Sequence, residues 1–189
     1  VPLRLKVESW KEETIDESRL SAREEDSLDF RAVNRRGDHG QTDFRYTYEK
    51  FGQQNYDNPE YGGVAHFADL TDRTLFDEEK QLRLFSTMTY RNIENEDYSS
   101  SALMLKETLT GKPSANTRGD LEYVFEHQEQ GATSTDTHQG RAGLSHQLYK
   151  SLTSVVQGEG STFSVGGDGL DEDGHRLGLR LSEAYRKKL

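Results

Sequence analysis

The sequence predicts an all-β fold, an antiparallel up-and-down meander of about ten long strands in a single domain over residues 1–189. Three observations carry this. Apolar and polar residues alternate with a period of two over long spans, which places them on opposite faces of a strand. Polar links rich in Gly, Asn and Asp separate those spans. The charged stretch Lys11–Glu25 has Ile15 and Leu20 as its large apolar residues, too sparse for a helical stripe, and reads as a connection.

The clearest unit is Thr74–Tyr90. Leu82, Leu84, Met88 and Tyr90 share one parity, while Gln81, Arg83, Thr87 and Thr89 share the other, with Phe85 the exception. The polar break Asp77–Lys80 makes the stretch a hairpin. From the start of the chain, Leu3, Leu5 and Val7 alternate with Arg4, Lys6 and Glu8. Leu28, Phe30 and Ala32 alternate with Asp29 and Arg31. Asn34–Gly40 is a turn by composition. Phe44, Tyr46 and Tyr48 then alternate with Asp43, Arg45, Thr47 and Glu49.

Gly52–Gly63 reads as a long polar loop, and Val64–Phe76 as a weaker strand. Asn92–Ser101 is a second polar connection. Ala102–Thr110 is apolar on both parities, and Gly111–Thr117 turns the chain. Leu121, Tyr123 and Phe125 alternate with Asp120, Glu122 and Glu126. Gln128–His138 is expected to be a loop, followed by Ala142, Leu144, His146 and Leu148 on one parity. After a short turn at Tyr149–Ser151 comes the small-residue strand Leu152–Val165. The Asp- and Gly-rich Gly166–His175 reads as a loop, and Leu177, Leu179, Leu181 and Tyr185 close the series. Strands of about 9–13 residues result, longer than the usual 5–6, joined by alternating shorter and longer links. A faint internal repeat relates SLDF…YTYEK to DLEY…QLYK.

Composition narrows the function classes. Hydrophobic residues make up 31% of the 189, charged residues another 31%, and the net charge is −10. With so little grease, a dry two-layer core would be thin, and half of each strand is expected to meet water. Nine Tyr and eight Phe argue against plain disorder. The acidity argues against a nucleic-acid partner, since the only basic run is Arg186–Lys188. The absence of cysteine removes thiol catalysis, disulfides and thiolate metal sites. No stretch approaches the roughly 20 apolar residues of a membrane helix, which leaves strand-based crossing open. Val1–Arg4 does not read as a signal peptide.

Long strands with one apolar, aromatic face and one charged face resemble bacterial outer-membrane β-barrels of the porin and TonB-dependent-receptor kind. The resemblance covers most of the chain as a pattern. It implies a transmembrane barrel, or part of a larger one, in the bacterial outer membrane, with lipid outside and small solutes or ions passing inside. Tyr46, Tyr48, Tyr90, Tyr123 and Tyr185 would supply aromatic girdles. The Arg-Lys-Lys-Leu ending lacks the family's final aromatic residue and no plug is recognisable, so an internal piece of a larger barrel is expected. Lys106, Glu107 and His146 are the poorest fits to a lipid face.

Under that resemblance, Asp43, Arg45, Glu49, Arg83, Asp120, Glu122, Glu126, Arg176 and Arg180 are the lumen-lining candidates, where charge sets ion selectivity. The competing reading makes them the wet face of a soluble, periplasmic or secreted all-β binding or structural module. Asp168, Asp171 and Asp173 in the Gly-rich segment are a weak Ca²⁺ candidate that misses the D-x-D-x-D-G spacing. No other cofactor is expected. The six histidines are scattered, no G-x-S-x-G elbow is present, and no enzymatic activity is expected. The position of Phe44, Tyr46, Leu82, Leu84, Leu121, Tyr123, Leu177 and Leu179 decides between membrane and soluble readings: outward and uncovered, or packed against a second layer.

Overall fold

The computed structural model describes residues 2–16, 19–55, 58–76, 79, 81–95, 98–149, 152–167 and 169–185. Ten strands follow one another: β1 (Leu3–Asp16), β2 (Arg19–Arg35), β3 (Gly40–Asn55), β4 (Asn58–Leu75), β5 (Leu82–Asn95), β6 (Ser99–Ser114), β7 (Thr117–Gln130), β8 (Thr133–Tyr149), β9 (Leu152–Gly167) and β10 (Leu170–Tyr185). They form one sheet in chain order, each strand antiparallel to its sequence neighbours. A 3-10 turn, Gly37–His39, joins β2 to β3. Among the described residues β1 and β10 do not pair, so the sheet is open. No helix among the described residues is long and apolar enough to cross a membrane.

The expected meander is therefore present, but its links are not as expected. Lys11–Glu25, Gly52–Gly63, Asn92–Ser101, Gln128–His138 and Gly166–His175 are strand over most of their length. The strands reach 14 to 18 residues rather than the shorter lengths read from periodicity. The reason is physical. These arms are polar on both faces, so the alternation that marks a half-buried strand is absent. The backbone ladder begun in the apolar part nonetheless extends into the arms, with a register shift at Gln53/Asn55 in the β3–β4 arm, and pairs backbone groups that would otherwise need water.

The turns after odd-numbered strands lie at one end, here called the tip end. Those after even-numbered strands lie at the base end. Gly131 has φ +58° at a tip-end turn, a conformation open to glycine at little cost. Gly174 on β10 lies under the Phe163 ring of β9, and a Cβ there would overlap the ring. A large side chain covering a strand glycine in this way fixes register.

Among the described residues no second layer covers the sheet. Ala65 and Leu75 are the buried hydrophobic residues among those described. The accessible surface is 14160 Å², whereas a compact monomer of this mass would expose about 9,200 Å².

Candidate functional site: a charged face opposite an apolar belt

Register assigns the faces. The hydrogen-bonded row through Phe44 joins Ala32, Leu70, Met88, Leu105 and Phe125, all apolar. The eight residues that separate the two readings, Phe44, Tyr46, Leu82, Leu84, Leu121, Tyr123, Leu177 and Leu179, share this face. Nothing packs over them, and Leu177 and Leu179 are 90% and 82% exposed. Residues here are apolar over a limited height on each strand and polar on both sides of it, so together they make a belt.

The belt runs obliquely to the hydrogen-bonded rows. The row through Phe30 reaches β9 at Ser164, eight residues from the belt residue Val156. That is about 26 Å along a strand against about 34 Å across the sheet, an angle of about 38°. The same row, taken from Leu5 on β1, meets β10 at Asp173, six residues from Leu179, which gives an angle of about 25°. A level belt on tilted strands has this geometry, and barrel strands tilt by about 35–45°.

Glu107 is the charged residue within the belt, between Ser86 and Tyr123. Lys106 points to the other face. His146 lies on the belt face toward the base end, with Nδ1 2.8 Å from the Thr117 hydroxyl. Tyr48 and Tyr90 stand at the tip-side margin of the belt, whereas Tyr123 sits within it. The Tyr185 side chain lies outside the described residues.

All nine lumen candidates fall on the opposite face. Asp43 forms a two-point ion pair with Arg31, whose Nε donates to Oδ1 at 3.0 Å. Arg45 is bonded to Asp29 from Nε at 3.0 Å and from Nη2 at 2.5 Å. The two pairs cross diagonally between β2 and β3, because register sets Arg31 directly opposite Arg45. Glu122 accepts Lys106 at 3.0 Å and shares a shallow hollow with Arg141, Glu159 and Arg176. Arg4, Lys6, Asp29, Arg31, Asp43 and Arg45 line a second hollow. Arg83 and Asp120 line a third hollow with Arg118, and Glu49, Glu126 and Arg180 stand on the same face. Arg4, Lys6, Arg31, Lys106, Arg141 and Glu159 extend the candidate set; the same alternation marks them in the sequence.

Histidine marks the tip-side margin of the belt face on four strands. His127 and His175 are the first, and His138 the second, same-face residue beyond the apolar run on β7, β10 and β8, while His66 on β4 stands between Ala68 and Val64. His66 Nδ1 is 2.7 Å from the Tyr46 hydroxyl, and His138 Nδ1 is 2.8 Å from that of Tyr123. In the arm beyond the belt, His127 lies 2.6 Å from Asp136 and 3.3 Å from Glu129. The hydrogen bond to Asp136 raises the His127 pKa, and Glu129 adds to the rise against partial burial.

At the base end Arg36 clamps the 3-10 turn onto β4. Its Nη2 donates to both Asp72 oxygens at 2.7 and 2.9 Å, and Thr42 and Thr74 donate to the same carboxylate.

Two of the three Ca²⁺ candidates are placed by the structure. Asp171 and Asp173 are on β10, two residues apart on one strand face, rather than in a loop that wraps an ion. Asp168 lies outside the described residues, as does Arg186–Lys188. Among the described residues no group of three or more His, Asp or Glu is placed to hold a metal.

Charge is segregated along the strands. The tip-end stretches 8–27, 49–64, 91–101, 126–139 and 161–175 carry 21 Asp/Glu against 5 Lys/Arg, a net −16. The remainder carries 13 against 19, a net +6, which restores the overall −10.

No protein-family model and no curated protein matches the sequence. Among solved structures, the chain is similar to OmpT, an outer membrane protein of Vibrio cholerae folded in vitro and solved in a trimer form. Sequence identity is 11% and the TM-score 0.49, over 94% of this chain and 64% of that one. The chain thus spans just under two thirds of the length of the structure it matches.

Proposed function

We propose that the chain forms wall of a transmembrane β-barrel in the bacterial outer membrane, with passive passage of small solutes or ions along its charged face. The observation that supports this most is the oblique apolar belt. A soluble sheet would hide its apolar face under a second layer, whereas here that face is uncovered, bounded in height and tilted as lipid contact requires. In lipid, each strand keeps its backbone groups paired to its neighbours, so the belt needs no further cover.

Under this reading Asp43, Arg45, Glu49, Arg83, Asp120, Glu122, Glu126, Arg176 and Arg180 face the lumen. The acidic tip end gives a mouth that concentrates cations, ahead of a wall richer in Arg and Lys. No residue is assigned a catalytic step.

The test is membrane fractionation followed by electrophoresis with and without boiling, then conductance in planar bilayers. Recovery in the outer-membrane fraction, heat-modifiable mobility and a cation-favouring reversal potential with cis–trans salt gradients are expected. A monodisperse protein recovered without detergent would overturn the membrane reading. A membrane-inserted protein with no conductance would overturn passage alone.

A further inference from the structure

We propose that the hollow formed by β1, β2 and β3 on the charged face binds the oxyanion group of a small solute, held by Arg4, Arg31 and Arg45. Its place in a lumen rests on the membrane reading above, while binding itself needs only the face.

Register places the three arginines abreast. Arg31 on β2 stands directly opposite Arg4 on β1 and Arg45 on β3. Their chain neighbours Leu5, Phe30 and Phe44 belong to the belt, so the row lies at belt height. A strand spacing of about 4.8 Å puts the outer two Cα atoms about 10 Å apart. Like charges directly opposite one another destabilise a sheet, and Arg31 meets one on each side. An anion seated among them would relieve that repulsion.

Asp29 and Asp43 offset part of the repulsion in a way that leaves the cations outermost. Arg45 leans toward the tip end to reach Asp29, and Arg31 toward the base end to reach Asp43. The aspartate side chains are 30% and 23% exposed, against 57% and 53% for their arginines. A solute therefore meets guanidinium rather than carboxylate. The hollow has a volume of about 550 Å³, with Arg4 and Lys6 along its β1 side. Among the described residues Arg4 has no ion-pair partner, whereas Lys6 is 2.5 Å from Glu8. Glu8 toward the tip end and Asp69 opposite Arg45 on β4 bound the cationic patch.

The donors left over define the ligand. A guanidinium has five N–H donors and no acceptor. Arg31 and Arg45 each give two to their aspartate, and five less two leaves three on each. A group dense in negatively charged oxygens meets several of these at once, and the planar fork suits phosphate and carboxylate. The hollow at Glu122 differs. There Glu159 is exposed and lies across Gly178, so a carboxylate already faces any arriving solute.

The test is equilibrium dialysis of the protein in octyl glucoside, a detergent without phosphate. Labelled inorganic phosphate and labelled acetate are the probes, with sodium chloride holding ionic strength constant. Saturable binding of at least one is expected, and whichever binds names the solute's group. No saturable binding of either would overturn the proposal. Arg4→Gln strands no aspartate and eases the repulsion on Arg31, so it should fold as the parent does, yet bind at least about tenfold more weakly. Arg73→Gln, on the same face of β4 but roughly 14 Å along the strand from Asp69, should bind within about twofold of the parent. Equal losses from the two would mean diffuse charge alone and would overturn the site. Conductance in planar bilayers separates this inference from the reading beneath it. A filled hollow repels cations less, so phosphate should move the reversal potential of the parent further toward cations and leave that of Arg4→Gln unmoved. A protein that binds without conducting keeps the site and loses passage, whereas one that conducts without binding loses the site alone.

Discussion

The belt and the tip-end arms are made from the same ten strands, yet they are held differently. In the belt one face is largely apolar, from Leu5 through Phe44, Met88, Leu105 and Phe125, and a one-residue change of register would turn those side chains to the charged face. In the arms both faces are polar and the ladder of backbone hydrogen bonds does most of the holding. The β3–β4 arm continues from Ala68 to Asn58, about 30 Å beyond the belt. Chemistry thus varies along a strand while secondary structure does not. The lesson is that a strand, once its register is fixed in one stretch, carries polar sequence well past that stretch.

The sharpest way to break this contrast is to place the same charge in both regions of one strand. Leu105→Arg, at the middle of the belt between Met88 and Phe125, should cost about 2–4 kcal/mol in urea unfolding from lipid vesicles. Ser101→Arg, on the same face of β6 in the arm, should cost about 0–1 kcal/mol. Equal effects would remove the distinction between belt and arm.

A smaller effect is expected from the register device between β9 and β10. Gly174→Val drives a branched side chain into the Phe163 ring and should cost about 1–3 kcal/mol. Phe163→Ala in the same chain should recover part of the loss, as read by unfolding midpoints. If Gly174→Val behaves like an open position such as Gly158, the ring is not packed on β10.

At the base end Arg36→Ala should cost about 1 kcal/mol, because it unties the turn from Asp72 in a partly exposed network. Protease sensitivity around Gly37 should rise with it. The arms should be unaffected.

The smallest effect should be a pH dependence in the β7–β8 arm. His127 has a raised pKa in the folded protein. Its pairing with Asp136 and Glu129 therefore stabilises fully below the unfolded histidine value and fades as pH rises through the folded one. The gap in melting midpoint between the parent and Asp136→Asn should be wider near about pH 5.5 than near about pH 8.5. A gap that is constant with pH would show that the contact does not titrate.

The sequence made most of the belt legible because period-two alternation is a local property. Phe44, Tyr46 and Tyr48 against Asp43, Arg45 and Glu49 need no partner strand to be assigned faces. It failed at Gly52–Gly63, Gln128–His138 and Gly166–His175 because residues wet on both sides leave no periodic trace, and Gly, Asn and Asp there look like turn material. The nine charged candidates share one face of the sheet, as their parity indicates. Their pairings were not legible: that Arg31 reaches Asp43 and Arg45 reaches Asp29 depends on a register shared by two strands.

By itself, then, the sequence determined that this chain is all-β, that most strands have a greasy and a charged side, and that the order of strands is a meander. Only the tertiary structure decided how far the strands run, that the apolar residues of ten strands line up as one slanted belt, and that no layer covers them. The physical reason is that side-chain parity is set within a strand, whereas height and tilt are set between strands, by hydrogen-bond registers that join residues far apart in the chain.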